Sequence, residues 1–291
     1  MNNIKIIVNN IIEGDAIKIL KQLPDNTFDL SFADPPFNLN KGYSHWNDKL
    51  EKDEYLSWCH EWIKELVRVT KETGSIVIHN IPKWLIYISA ILNEYAYFRH
   101  WISWTAMGAP RGKTLLPVHY GIVFYTKNKS NFKFFDIRVP HSYCKNCGSY
   151  IKDYGGKENL RHFFGPLASD VWDDIHRIRH QKRRDKHPCQ LPVPLLERII
   201  LMTTDVDDIV LDPFIGTGTT AIAARRTGRK YLGIDIDPEY VKIAKSKVAQ
   251  TNEIKINGIY ISVFLNKILT VQDKDVDKIK NYLVKSPSLI L

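Results

Sequence analysis

Phe28-Asp29-Leu30-Ser31-Phe32-Ala33 runs directly into Asp34-Pro35-Pro36-Phe37, and the reading of that junction decides the fold. Six residues rich in Phe, Leu and Ala, closed by two prolines, predict a buried strand that stops abruptly, because proline offers no ladder donor and fixes its own φ. An acid then stands at a strand's carboxyl end, which is where open α/β sheets bind ligands. Upstream, Gly14-Asp15 opens a short amphipathic helix carrying Ile17, Leu20 and Leu23. Downstream, residues 38 to 50 have no period and are expected to form a loop that is mobile without ligand. A helix over Asp53 to Thr70 then puts Leu56, Cys59, Ile63, Leu66 and Val67 on one face, and Gly74 to His79 is a second buried strand. After a helix over 83 to 95, the runs Trp101 to Thr105 and Tyr120 to Thr126 flank a Gly108 to Lys113 turn. Together these elements make half of a doubly wound, mostly parallel sheet ending in a β-hairpin.

The tetrapeptide Asp34 to Phe37 suits attack by the exocyclic amine of a flat base. Such a nitrogen's lone pair is delocalised into the ring, so the amine turns nucleophilic only if its hydrogens are held while it becomes tetrahedral. The Asp34 carboxylate and the Pro35 carbonyl offer the two acceptors, Pro36 helps to lock the carbonyl's direction, and Phe37 offers a stacking surface. On these residues alone, an ordinary Pro-Pro turn with a capping Asp is an equal reading.

The chain of 291 residues fits one large domain or two small ones, with ordinary globular composition at 44% hydrophobic and 25% charged. Its net charge of +9 favours a polyanionic partner. It has no apolar run of about 18 residues and no signal-peptide core, so a cytoplasmic protein without a membrane partner is expected. In that compartment Cys59, Cys144, Cys147 and Cys189 are expected to be free or metal-bound.

From 128 to 186 periodicity vanishes while Gly, aromatic and basic residues accumulate, which predicts an inserted irregular module. Arg177, Arg179, Lys182, Arg183 and Arg184, with Arg111 and Lys113 in the earlier turn, are the candidate phosphate contacts, and Trp172, Phe163, Phe164 and Tyr154 can stack on bases. Cys144 and Cys147 resemble half of a zinc knuckle that His141 and His162 could complete; free thiols are the alternative. Residues 251 to 291 look like an appended strand pair and a short helix, with no functional reading.

Between these segments, Asp208 to Leu211 predicts a strand. Asp212-Pro213-Phe214-Ile215-Gly216-Thr217-Gly218-Thr219-Thr220 then opens a helix, and a second strand ends in Asp235. This is the βαβ unit of nucleotide binding: the glycines let the backbone approach a ligand, and Asp235 comes after Asp212 by 235 − 212 = 23 residues, near the ~20 expected for an acid on ribose hydroxyls. A nicotinamide oxidoreductase fails here, because the third glycine of a dinucleotide fingerprint is replaced. The Asp34 and Asp212 motifs, in this order, resemble the circularly permuted β group of S-adenosylmethionine-dependent DNA amino-methyltransferases, with a Rossmann-like fold. The resemblance implies a catalytic half over 1–127, a target-recognition region over 128–186, a cofactor half over 187–250 and an extension over 251–291. It implies that Asp34, Pro35, Pro36 and Phe37 hold a flipped adenine for methylation at N6. Asp34, Asp212, Phe214, Gly216, Gly218 and Thr219 would line the cofactor, with Asp235 on its ribose and Asp15 on its adenine. It further implies double-stranded DNA as partner, a restriction-modification context and, as one oligomeric option, a homodimer. Leu191 stands where this group usually has Lys, and Cys189 reads as a helix-start residue rather than a nucleophile. Cytosine N4 is the runner-up target, because group members acting there more often carry Ser at position 34. RNA methylation and a catalytically silent DNA-binding subunit are the readings from other classes.

Overall fold

The computed structural model describes residues 8–105, 115–139, 167–178, 190–252, 260–264 and 267–271. In chain order the described strands are β1 (Asn10–Glu13), β2 (Phe28–Ala33), β3 (Thr70–Asn80), β4 (Tyr97–Thr105), β5 (His119–Thr126), β6 (Ile137–Arg138), β7 (Val171–Trp172), β8 (Ile209–Asp212), β9 (Lys230–Asp235), β10 (Tyr260–Phe264) and β11 (Lys267–Val271). The helices are α1 (Ala16–Leu20), α2 (Lys52–Val69), α3 (Pro82–Leu92), α4 (Val193–Thr203), α5 (Thr219–Arg226) and α6 (Pro238–Ala249). The chain divides into two compact units, residues 1–134 with 170–255, and residues 135–169 with 256–291.

The first unit is built on a sheet in the order β1-β9-β8-β2-β3-β5-β4-β7. β1, β9, β8, β2 and β3 are mutually parallel, whereas β5 is antiparallel to both β3 and β4. The α/β sheet with a hairpin is thus as expected, and the structure adds β7, paired in parallel with β4 through Ser103↔Val171 and Trp104↔Trp172. β2 is buried along its whole length because it lies inside the sheet. Its two polar side chains are satisfied there: Ser31 Oγ lies 2.7 Å from Thr70 Oγ1, and Asp29 accepts from Lys71 Nζ at 2.8 Å and from the Ile209 amide at 3.0 Å.

β2 leads through α2 to β3 on one side, and β8 leads through α5 to β9 on the other. Right-handed crossovers in opposite directions place α2 and α5 on opposite faces. The neighbours β2 and β8 therefore form the point at which the winding reverses, and a crevice opens between their carboxyl ends. α2 buries Cys59, Ile63, Leu66 and Val67 of the expected stripe, leaves Leu56 only partly buried, and adds Tyr55 and Trp62 to the core. Burial pushes the Cys59 thiol up to about 12, so it packs as an apolar group.

In the second unit, β10 pairs antiparallel with β11, the strand pair expected of the tail, and in parallel with β6. No helix among the described residues is long and apolar enough to cross a membrane.

Candidate active site

Parallel strands align their carboxyl ends, so one edge of the sheet gathers the residues at which those strands end or turn. Gly14 and Asp15 come after β1, the Asp34 tetrapeptide comes after β2, His79 and Asn80 end β3, Asp212 ends β8 and Asp235 ends β9. The antiparallel β5 begins at that edge with His119 and Tyr120. One cleft is lined by Asp15, Asp34, Pro35, Pro36, Phe37, Asp212, Phe214, Gly216, Thr219 and Asp235. The cleft thus brings together the expected catalytic tetrapeptide and every expected cofactor residue except Gly218, which is buried behind the turn.

The turn after β2 is held rigidly. Tyr55 donates its hydroxyl to the Pro36 carbonyl at 2.6 Å, and Trp84 donates its indole N–H to the Phe37 carbonyl at 2.6 Å. Asp34 Oδ1 lies 2.8 Å from Nδ1 of His79, a buried residue that sequence reasoning treated only as the end of a strand. The Phe37 ring is 4% exposed and touches His79 and Tyr120 at centroid distances of 5.5 and 6.1 Å.

The aperiodic loop over 38–50 is built around a residue the sequence reading passed over. Asp48 is buried and accepts from the amides of Asn38 at 2.8 Å, Leu39 at 3.0 Å and Lys41 at 2.9 Å. Asn38 and Asn40 supply the positive φ values of 52° and 57° that such a tight loop needs. The loop's Trp46 lies on Trp58, with ring centroids 4.5 Å apart, and Trp58 in turn meets Phe214 at 5.5 Å. Tyr43, His45 and Trp46 thereby wall the cleft.

Across the cleft, Gly216 adopts φ 51° and Gly218 φ 91°. A Cβ at Gly218 would stand 2.8 Å from Ala244 Cβ, so this glycine lets α5 start tight against α6, the packing task that a third glycine performs in dinucleotide folds. Asp212 accepts from the Phe214 amide at 2.9 Å and from Thr220 Oγ1 at 2.5 Å. Burial nevertheless raises its carboxyl to about 7, and the charges of Asp34 and Asp235 push the same way. Asp235 accepts from Gly216 N at 2.8 Å and Asp237 N at 2.9 Å, and it too is raised by burial. Gln190 and Leu191 also line the cleft, ahead of α4.

Of the expected DNA contacts, Arg177 is half-buried, whereas Arg111, Lys113, Arg179, Lys182, Arg183 and Arg184 lie outside the described residues. Cys144, Cys147, His141 and His162 also lie outside them, and no cluster able to hold a metal occurs among the described residues. His119, at the start of β5, is exposed. The segment that delivers the basic run is anchored by contacts the sequence did not reveal. Trp104 Nε1 donates to the Ile175 carbonyl at 2.7 Å, and the buried Arg198 holds Asp174 through two bonds of 3.0 and 2.5 Å with Trp172 on its guanidinium.

A reversal crevice carrying a glycine turn and a second strand ending in an acid defines a Rossmann-like cofactor-binding fold. Comparison with known proteins narrows this further: residues 28–246 match the family N6_N4_Mtase, described as DNA methylase. The chain belongs to that family. It is similar to type II methyltransferase M.BamHI of Bacillus amyloliquefaciens, 42% identical over 79% of this chain and 55% of the relative, so it spans little more than half of that protein. It is 32% identical to the DNA adenine methyltransferase YhdJ of Escherichia coli K12 over 80% of each chain. The crystal structure of TTHA0409 from Thermus thermophilus, complexed with S-adenosyl-L-methionine, superposes with a TM-score of 0.58 at 23% identity over 83% of this chain and 93% of that one.

Proposed function

We propose that this chain transfers the methyl group of S-adenosylmethionine to the exocyclic N6 amine of an adenine flipped out of duplex DNA, in a restriction-modification setting. The observation that carries the reading is the composition of the cleft. An amine-gripping tetrapeptide on β2 faces a glycine turn on β8, and the described lining holds the acids Asp15, Asp34, Asp212, Asp235 and Asp237 with no Lys or Arg. Such a wall suits a cationic sulfonium and repels a pyrophosphate.

When bound, S-adenosylmethionine supplies an electrophilic methyl on a positively charged sulfur. Phe214, Gly216 and Thr219 would hold its methionine end, Asp235 its ribose hydroxyls and Asp15 its adenine. The base leaves the stack at a cost of a few kcal/mol. Phe37 stacks on it, Asp34 accepts one amine hydrogen and the Pro35 carbonyl accepts the other, which frees the nitrogen lone pair for in-line attack. Asp34 and the relationship to YhdJ support adenine as the target.

The directions in which β4 and β7 run support duplex DNA as partner. β4 and β7 run in the direction of β3, so both leave the sheet at the Asp34 edge. The segments beyond them carry Arg111 and Lys113, and Arg177, Arg179, Lys182, Arg183 and Arg184.

The test is incubation with methyl-labelled S-adenosylmethionine and unmethylated duplex DNA, then digestion to nucleosides and mass analysis, with Asp34→Ala alongside. Label in N6-methyladenosine that disappears in the variant is the expected result. Label in N4-methylcytosine keeps the mechanism and changes the base, whereas cofactor binding without transfer to DNA refutes the reading.

A further inference from the structure

His79 stands in the interior, 2% exposed, at the carboxyl end of β3. A buried imidazole is costly unless it is hydrogen-bonded, and this one spends its single described bond on Asp34, with Nδ1 2.8 Å from Oδ1. With Asp34 as the acceptor, Nδ1 is the donor of this bond. Nε2 has no hydrogen-bond partner among the described residues. Around the imidazole stand the rings of Tyr120, Phe37 and Trp104, with centroids 5.3, 5.5 and 5.7 Å from its own. One imidazole therefore braces two members of the tetrapeptide, binding the carboxylate of one and packing on the ring of the other.

We propose that His79 is a positioning residue for methyl transfer. It occupies one oxygen of Asp34 and fixes the carboxylate's rotation, so that the other oxygen accepts the hydrogen of the target amine. The inference rests on the methyltransferase reading and adds a residue to it. His79 acts through Asp34 and touches no substrate. A packing role alone would be met by any apolar side chain of similar size, and that difference makes the proposal testable.

The full-length wild type, His79→Asn, His79→Gln and His79→Leu would be compared for methyl transfer to duplex DNA, for S-adenosylmethionine affinity by calorimetry and for thermal unfolding. The amide nitrogen of Asn falls near the place of Nδ1 and that of Gln near Nε2, so only Asn can restore the bond to Asp34. His79→Leu and His79→Gln are expected to lose about 10- to 100-fold in kcat, because a small misplacement of a reacting group costs on that order. Cofactor Kd should stay within about twofold, and His79→Asn should recover most of the rate, since the reacting geometry and not the cofactor pocket is what the bond holds. In an Asp34→Asn background, replacing His79 should add little further loss, because the two residues act as one unit. A His79→Leu variant that transfers methyl at the wild-type rate would overturn the proposal, as would a folded His79→Asn that falls as far as His79→Gln. A wild type that binds cofactor but transfers nothing overturns the parent reading and this one together, whereas an active wild type with an indifferent His79→Leu overturns this one alone.

Discussion

Asp212 should make the protein lose stability as pH rises toward neutrality, and Asp212→Asn should remove much of that slope. Its carboxyl titrates near 3.8 in an unfolded chain and near 7 in the folded one, where burial disfavours the charge. Between those values the folded state binds the proton and the unfolded state does not, so raising the pH favours unfolding. Stability is fully present below the lower value and is lost progressively up to the upper one. At about 1.4 kcal/mol per pH unit, the roughly two units between pH 5 and pH 7 correspond to about 3 kcal/mol from this group. Urea unfolding of wild type and Asp212→Asn at pH 5 and pH 8 measures it directly. The drop between the two pH values should be smaller in the variant by about 2–3 kcal/mol. Asp235 and Glu197, both raised by burial, keep a residual slope of the same sign in both proteins. An equal drop in the two proteins would refute the reasoning, since it would place the titration elsewhere.

Three further substitutions probe the frame of the site. Asp48→Ala leaves three loop amides without their acceptor and should cost about 1–3 kcal/mol, read as a lower Tm with faster hydrogen exchange confined to residues 38–50. Gly218→Val forces a β-branched side chain into φ +91° with Ala244 Cβ 2.8 Å from the new Cβ; a loss of at least about 2 kcal/mol and of measurable S-adenosylmethionine binding is expected by calorimetry. Arg198→Leu releases Asp174 and the Trp172 face, and should weaken duplex DNA binding in a gel-shift titration while leaving cofactor Kd within about twofold.

Legibility in the sequence followed the range of the interactions. The end of β2 was visible because two prolines stop a strand whatever its surroundings, and α2 because its stripe repeats over 18 residues. The β8 turn was visible because positive φ at Gly216 and Gly218 demands glycine locally. β7, two residues long, carries no period, and the bond ladder from Ile137 to Ile261 closes over 261 − 137 = 124 residues with nothing local to announce it. Asp48 acts through backbone amides, which are alike in every residue, so an aperiodic loop hides it. His79 ends an apolar run and Arg198 lies within an apolar helix; each has a role only because topology brings a carboxylate opposite it.

The same negative charge governs both stability and ligand choice. Asp34 and Asp235 each raise Asp212, and no cation of the described lining offsets them, so the ligand-free cleft carries a repulsion that the rest of the fold must hold. A cationic ligand relieves that repulsion and stabilises the ionised form of Asp212, which makes its binding release a proton near neutrality and tighten as pH rises through about 7. S-adenosylhomocysteine lacks the sulfonium charge and receives less of this stabilisation. The pH at which Asp212 costs the ligand-free protein its stability is therefore the pH at which the cleft should best discriminate the charged methyl donor from its neutral product. Calorimetry of both ligands at pH 6 and pH 8 checks this: the ratio of their affinities should shift toward the donor at the higher pH in wild type and stay level in Asp212→Asn.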